Sequence, residues 1–385
     1  MPQFSVTTRI CLGKDTTKEA SRHMKALALN KPIFIVDKNV QESKAFLRLV
    51  NDFEKEEIRV AGIEPVDASS EPTYEFVDMY ADSLRKKTFV AIIAVGGGSV
   101  MDLAKGVGIL LKNPGKAVEY RGMDKVKAQG IPVVCYPTTA GTGSEVTHTA
   151  SFIDEASKTK LGINGRNVSS LFGVLMPELT FSCPREVTIS SGLDAMLHAI
   201  EAASARTASA VTIMLGSHAF SLLYKNFRNV LREPDNYAAR EGMLLGSYYA
   251  GVAMMNAGGG PASGISYPLG VHYKIPHGLA GGIFLPHIFE YNVSRGYSGY
   301  VEVYDHLPDS DASLKTADKS RDFVVKFRKF YNDIGAPKRL LGYGITKTDI
   351  GKLVNLTMEQ RFDNLELNPL PFGRNELAHL LEKVI

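Results

Sequence analysis

The first half of the chain alternates short, wholly apolar runs with amphipathic segments. "KPIFIVDKN" stops at Asp37, "EIRVAGI" is a second run, "FVAIIAVGGGS" passes into a glycine turn, and "IPVVCYPTTAGTGSE" passes into a loop of glycine and threonine. Apolar runs of this length that end in turn residues predict strands buried on both faces. Their alternation with helical segments predicts a parallel sheet with crossover helices. Near residue 182 the texture changes. "SGLDAMLHAIEAASA", "ASAVTIMLGSHAFSLLYKNF" and "AAREGMLLGSYYAGVAMMN" are rich in Ala, Leu and Met at helical spacing, with few β-branched runs. The pattern predicts an α/β domain over residues 1–181 and an all-helical domain over 182–385. "HLPDSDASLKTADKS" reads as an exposed connection.

Composition narrows the class of partner. The chain has 385 residues, 44% of them hydrophobic, which is enough for two cores. Its 44 basic and 41 acidic residues leave a net charge of +3 with no basic stripe, so nucleic acid and anionic membrane are not expected as partners and a small molecule is. Cys11, Cys135 and Cys183 are odd in number, far apart and without C-x-x-C spacing. That excludes a disulfide framework and a structural zinc knuckle, and fits a reducing cytoplasm. The N-terminus lacks an apolar signal core, and the most hydrophobic stretch is interrupted by Asp102 and Lys105, so no membrane span is expected.

Three places carry candidate chemistry. Gly96-Gly97-Gly98-Ser99, with Asp102 following, joins a strand to a helix; such a junction serves either as a tight turn or as a cradle where backbone amides and a helix dipole receive a pyrophosphate. It is not the G-x-G-x-x-G fingerprint. The second loop, Thr138 to Glu145, places the hydroxyls of Thr138, Thr139, Thr142 and Ser144 after another strand, at the sheet edge where nucleotides bind in open α/β folds. Asp37, also at a strand end, serves as a turn cap or as an acceptor for adenosine ribose hydroxyls, the latter favouring NAD over NADP. Farther on, Asp194 and His198 stand four apart on an apolar helical segment, either bonded to each other or converging on one cation. Glu201 follows as a supporting partner or a solvated acid. His277 sits in a Pro-His-Gly corner suited to a further ligand. His218 reads as a hydrogen-bonded packing residue.

Taken together, "GGGSVMDLAK", "YPTTAGTGSEVT", "GLDAMLHAIEA", "YPLGVHYKIPHG" and "LNPLPFGRNEL" resemble the iron-containing (group III) alcohol dehydrogenases, in the same order along nearly the whole chain. The resemblance implies the dehydroquinate synthase-like fold of that family, a dinucleotide-binding α/β domain followed by a helical domain, with hydride transfer in a cleft between them. By resemblance, Gly97, Gly98, Ser99, Asp102, Thr138, Thr139, Thr142, Ser144 and Lys160 match cofactor-contacting positions and Asp37 the ribose acid. Asp194, His198 and His277 match ligands for Fe2+ or Zn2+.

Two positions depart from the family pattern. Ser263 stands where a fourth ligand, a histidine, is expected, and Tyr267 replaces a second active-site histidine. A serine hydroxyl is a weak ligand beside imidazole. Three outcomes follow: a three-ligand metal site, with His272 as a possible substitute; a metal-independent reductase of the maleylacetate reductase type using Tyr267 or His277 as proton donor; or a nucleotide-binding protein with a degenerate site. The expected activity is an NAD(P)-dependent interconversion of a small, functionalised alcohol and its aldehyde. Asn256, Lys274 and Arg166 are candidates for further polar groups, and family habit points to a homodimer or larger assembly.

Overall fold

The computed structural model describes residues 4–13 and 15–385. The chain divides into two compact units, Val6–Cys183 and Pro184–Ile385, the second taking in Ser5, whose backbone exchanges hydrogen bonds with the Asn256 side chain at 2.8 and 3.0 Å.

In chain order the first unit contains β1 (Arg9–Cys11), α1 (Thr16–Ala26), β2 (Pro32–Asp37), α2 (Lys44–Lys55), β3 (Gly62–Val66), α3 (Tyr74–Leu84), β4 (Ala91–Gly96), α4 (Gly98–Leu110), β5 (Gly122–Met123), β6 (Val133–Pro137), β7 (Thr149–Asp154), β8 (Thr159–Asn164) and β9 (Phe172–Val174). Six strands form one sheet in the order β1-β9-β6-β4-β2-β3, and every pairing in it is parallel. The inner strands β2, β4, β6 and β9 are almost wholly apolar because both faces are covered, whereas the edge strands β1 and β3 carry Arg9 and Glu64 and are partly exposed. Ile33, Ile35, Ile92 and Ala94 pack with Val77, Leu84, Met101 and Val107 of α3 and α4. Their alternates Phe34, Val36, Ile93 and Val95 pack with Met24, Phe46, Leu49 and Phe53 of α1 and α2. A small sheet, β5-β8-β7, is built from the hairpin of β7 and β8.

One predicted strand is displaced. The run "EIRVAGI" is not extended at its start: Glu57 adopts φ 59° and Ile58 N donates to Phe53 O at 2.9 Å, closing α2, so Ile58 is a core plug and β3 begins only at Gly62. A left-handed helix terminus followed by a buried apolar residue has the composition of a strand but uses its backbone differently.

The second unit is helical, as the spacing of its apolar residues predicts. It comprises α5 (Arg185–Ser204), α6 (Ala210–Arg232), α7 (Tyr237–Ala257), α8 (Pro261–Tyr273), α9 (His277–Gly282), α10 (Leu285–Ser294), α11 (Val301–Tyr304), α12 (Thr316–Asp333), α13 (Ile350–Gln360), α14 (Phe362–Glu366) and α15 (Arg374–Val384). Helices α5, α6 and α7 pack on one another and α9 packs on α5. Phe220, Phe227, Phe289, Phe323, Phe327 and Phe330 form an aromatic core through contacts with ring centroids 4.8–6.3 Å apart. His218 is exposed on α6 with its ring against Tyr249, not packed inside, because the apolar face of α6 turns the other way. The stretch expected as an exposed connection is pinned at Asp311, whose N–H donates to the buried Tyr304 hydroxyl at 2.8 Å, and from Thr316 it is already helix.

Candidate active site

Strands β2 and β4 lie side by side with Val36 opposite Val95. From β2 the chain steps outward to β3, whereas from β4 it proceeds the other way to β6, so the sheet order reverses between these two strands. Ligands of open α/β sheets bind beyond the carboxyl ends of the strands at such a reversal. Asp37 ends β2 there, with its Oδ1 accepting from Asn39 N and Nδ2 at 2.9 and 3.1 Å. Gly97 caps the start of α4. A Cβ on Gly98 would lie 2.6 Å from Thr142 Cγ2, so the glycine is what lets the two loops touch.

The loops divide the sequence candidates into two groups. Gly97, Gly98, Ser99, Thr139 and Thr142 remain partly exposed, while Thr138 and Ser144 are buried. Asp102 and Ser144, expected among the cofactor contacts, bond to each other inside the unit: Ser144 Oγ donates to Asp102 Oδ1, and Asp102 Oδ2 accepts from Ser151 N at 2.9 Å. Burial pushes the Asp102 carboxyl up from its ordinary value, against the pull of Lys105. These bonds tie the helix that follows the glycine turn to the second loop. The residue missed in the sequence is Lys105, which there only interrupts an apolar run. It is 2% exposed, lies 3.8 Å from Asp102 Oδ1, and donates to Ser144 O and Oγ at 2.5 and 2.9 Å, to Thr147 O at 3.2 Å and to Thr149 O at 2.9 Å. A lysine three residues after an aspartate on an otherwise apolar helix was the available signal. Lys160, on β8, donates to Glu71 at 2.5 Å.

In the helical unit, α5 presents Asp194 and His198 one turn apart, and α9 opens with His277. Close approach of the two helices depends on Gly278, where a Cβ would fall 2.0 Å from Ser190 O and 2.6 Å from Asp194 Cβ. His198 Nε2 and His277 Nε2 lie 3.6 and 3.9 Å from Asp194 Oδ1, and one ligand atom from each of the three residues falls within 4.8 Å of the others. Donors around a tetrahedral zinc stand about 3.4 Å apart for bonds of about 2.1 Å, so the cluster needs only slight contraction to hold a divalent ion. Asp194 Oδ1 is buried and, among the described residues, accepts no hydrogen bond. A buried carboxylate oxygen left this way costs more than the 1 to 3 kcal/mol or so of a neutral group, and a cation removes that cost.

Helix α8 supports this cluster through residues the sequence left ambiguous. Glu201, buried on α5, accepts from Gly260 N at 2.6 Å, Ala262 N at 2.7 Å and Ser263 Oγ at 2.6 Å. It therefore caps the first turn of α8, and is neither solvated nor bonded to His198. Burial raises its pKa, opposed by these donors. Ser263 donates its hydroxyl proton to Glu201, and as a neutral oxygen it is in any case a weak ligand beside imidazole. Ser266 was not singled out by any motif. Its hydroxyl donates to Ser263 O at 2.6 Å, and it also lies 3.0 Å from His277 Nδ1 and 3.4 Å from His277 Nε2. With its single proton already used, Ser266 Oγ is an acceptor for a protonated ring nitrogen of His277; Nδ1 is the nearer, and the tautomer protonated there is the one that frees the Nε2 lone pair for a metal. Outer partners of this kind tune metal affinity by about 10- to 100-fold. Ser266→Ala is accordingly expected to weaken zinc binding to metal-free protein by that factor in calorimetric titration; unchanged affinity would release Ser266 from this role.

Tyr267 packs edge-on against His277 with ring centroids 5.0 Å apart. Asn256 is tied to Ser5, Lys274 ends α8 exposed in the left-handed region, and Arg166 belongs to a short turn of the first unit. His272 lies within α8 and not on a loop. Among the described residues no helix is long and apolar enough to cross a membrane.

Comparison with known proteins follows the same division of the chain. Residues 7–177 match the family profile of the iron-containing alcohol dehydrogenases, and residues 188–385 match the C-terminal profile of the Fe-containing alcohol dehydrogenase family. The chain is 29% identical over 392 residues to the NAD-dependent methanol dehydrogenase of Bacillus methanolicus, with all of both chains covered. It is 29% identical over 379 residues to the sulfoacetaldehyde reductase of Bilophila wadsworthia, covering 97% of this chain and 96% of that one. The crystal structure of sulfoacetaldehyde reductase from Bifidobacterium kashiwanohense in complex with NAD+ matches at a TM-score of 0.85 and 26% identity, over 99% of this chain and 98% of the other. The fold and these relatives define an NAD(P)-dependent oxidoreductase acting on CH–OH groups. The chain belongs to the iron-containing alcohol dehydrogenase family.

Proposed function

We propose that this enzyme interconverts a small, functionalised alcohol and its aldehyde with NAD, using a divalent iron or zinc held by Asp194, His198 and His277. The observation that carries the reading is the unpartnered, buried Asp194 Oδ1 between two imidazoles. When bound, the ion supplies Lewis acidity, polarising the aldehyde carbonyl or lowering the pKa of the alcohol. The chain's own residues do the rest. Gly97, Gly98 and Ser99, at the start of a 13-residue helix, offer amides and a dipole end to the pyrophosphate, with Thr138, Thr139 and Thr142 beside them. Asp37 accepts from the adenosine ribose hydroxyls and repels a 2'-phosphate, which selects NAD over NADP. Lys160 contributes a cation near the cofactor once Glu71 gives way.

A second reading is hydride transfer without metal, with Tyr267 as the proton donor. It is favoured by the commitment of Ser263 to Glu201 and by the contact of Tyr267 with His277. One experiment separates the two: protein purified without a metal-binding tag is stripped with chelator and assayed for NADH oxidation against an aldehyde panel, before and after adding Fe2+ or Zn2+. The metal reading expects about one ion per chain and loss of at least nine-tenths of the activity on stripping, restored by the ion. Full activity in the stripped protein, abolished by Tyr267→Phe, establishes the second reading; NAD binding without turnover under any condition leaves a nucleotide-binding protein. A homo-oligomer working in the cytoplasm is the setting that fits this chemistry.

A further inference from the structure

The three groups around Asp194 Oδ1 differ in exposure. Asp194 and His198 are buried, whereas His277, Tyr267 and Arg361 keep part of their surface open. These three are in serial contact. The Tyr267 ring rests on His277, and the guanidinium carbon of Arg361 lies 3.6 Å over the Tyr267 ring. Arg361 is held at the junction of α13 and α14, where its N–H donates to Thr357 O at 2.8 Å and its Cβ lies against Gly264 of α8. The open side of the cluster therefore carries a permanent cation, one aromatic ring removed from the histidine nearest the rim.

A guanidinium over an aromatic face keeps its planar fork of N–H donors, whose geometry matches a carboxylate or another oxyanion. A chain of two to four carbons spans about 1.5 to 4 Å between its end carbons and about 3 to 6 Å between its terminal oxygens, comparable with the 5.0 Å between the Tyr267 and His277 ring centroids. We infer that Arg361 is a specificity-determining residue, and that the substrate is a short-chain aldehyde or alcohol whose far end bears an anion: a carboxylate, sulfonate or phosphonate. This rests on the reductase reading above. In the reduction the nicotinamide C4 hydride forms the new C–H bond, the carbonyl π pair moves to oxygen, and that oxygen takes up one proton, so that NADH is oxidised to NAD+ and the aldehyde reduced to the alcohol. Arg361 takes no part in that exchange and acts only on the remote anion.

The test compares matched substrates. Wild type, Arg361→Met and Arg361→Lys are assayed with 4-oxobutanoate, sulfoacetaldehyde and phosphonoacetaldehyde, and with neutral butanal and propanal. Two charge-assisted hydrogen bonds correspond to about 100-fold in affinity, so wild type is expected to favour the best anionic aldehyde over its neutral counterpart by about that factor in kcat/KM. Arg361→Met should erase the preference, chiefly through KM, and Arg361→Lys should restore part of it. The arm with the greatest loss identifies the anion. Equal losses on charged and neutral aldehydes, or a wild-type preference for the neutral ones, overturns the assignment of Arg361. Should wild type oxidise no NADH with either class, the reductase reading fails; calorimetric binding of 4-hydroxybutanoate to the NAD+-loaded protein then decides Arg361 separately, with tight binding lost in Arg361→Met supporting it and no binding by wild type overturning it. Circular dichroism melting of each variant establishes that it is folded.

Discussion

Asp194→Ala protein is expected to retain no tightly bound divalent metal and to turn over aldehyde at least about a thousandfold more slowly than wild type, since a Lewis acid contributes several kcal/mol and each 1.4 kcal/mol or so is a factor of ten. The same substitution should make the metal-free protein more stable, which a merely structural aspartate would not do. Among the described residues Asp194 Oδ1 is buried without a donor, so in the metal-free state it is an unsatisfied polar atom that costs the fold about 1 to 3 kcal/mol. Replacing it with a methyl group removes that cost, offset in part by the small cavity. Thermal melts with and without zinc provide the check: wild type should gain stability on adding the ion by mass action, and the variant should melt above metal-free wild type and not respond to zinc. A variant that melts well below metal-free wild type, or that still responds to zinc, contradicts the assignment of Asp194 as a ligand.

The second large effect belongs to Lys105, far from Asp194 in sequence and in a different unit. Lys105→Met keeps most of the volume but removes a buried ammonium that donates to Ser144, Thr147 and Thr149. Removing one partner of a buried charge pair typically costs about 3 to 5 kcal/mol, because the other charge and its polar neighbours stay behind. For a domain of this size that lowers the melting temperature by about 10 °C. The loop from Thr138 to Ser144 should lose its fixed relation to Gly98, and NAD affinity should fall by at least tenfold in fluorescence titration. Adding Asp102→Asn to Lys105→Met removes the stranded carboxylate and should return part of the stability without returning NAD affinity. If NAD binds Lys105→Met as tightly as wild type, the loop does not depend on this lysine.

The division of labour between α8 and α9 shows how the cluster is supported. His277 depends on Gly278 for its approach to α5 and on Ser266 for the orientation of its ring, while Ser266 and Ser263 sit on a helix whose first turn is capped by Glu201 of α5. Helix α5 therefore serves the cluster twice, once through Asp194 and His198 and once through the carboxylate that fixes the helix behind His277. The serine at position 263, where the family resemblance leads one to expect a histidine, belongs to that cap: its hydroxyl is one of the donors to the Glu201 carboxylate.

Local order was legible from the chain alone. The inner strands of the parallel sheet are recognisable because burial on both faces makes them almost continuously apolar, and the helices of the second unit because their apolar residues recur at helical spacing. Asp194 and His198 share a face because four residues make one turn. Glycine at 97 and 98 marks a backbone that something approaches closely, although the sequence does not say that the approaching group is Thr142.

Tertiary structure alone decided the rest. The reversal of strand order that brings Asp37 beside Gly96 is a property of the sheet's topology, and no local spacing encodes it. The seven residues of "EIRVAGI" have strand composition, yet Ile58 serves a helix terminus because its N–H finds Phe53. Ser263, Ser266, Lys105 and Arg361 acquire roles only through partners 11 to 62 residues away or on another helix. A polar side chain's function is set by which donor, acceptor or ring lies within about 3 to 6 Å of it, and that neighbour is chosen by the packing of whole elements, not by the residues on either side in the chain.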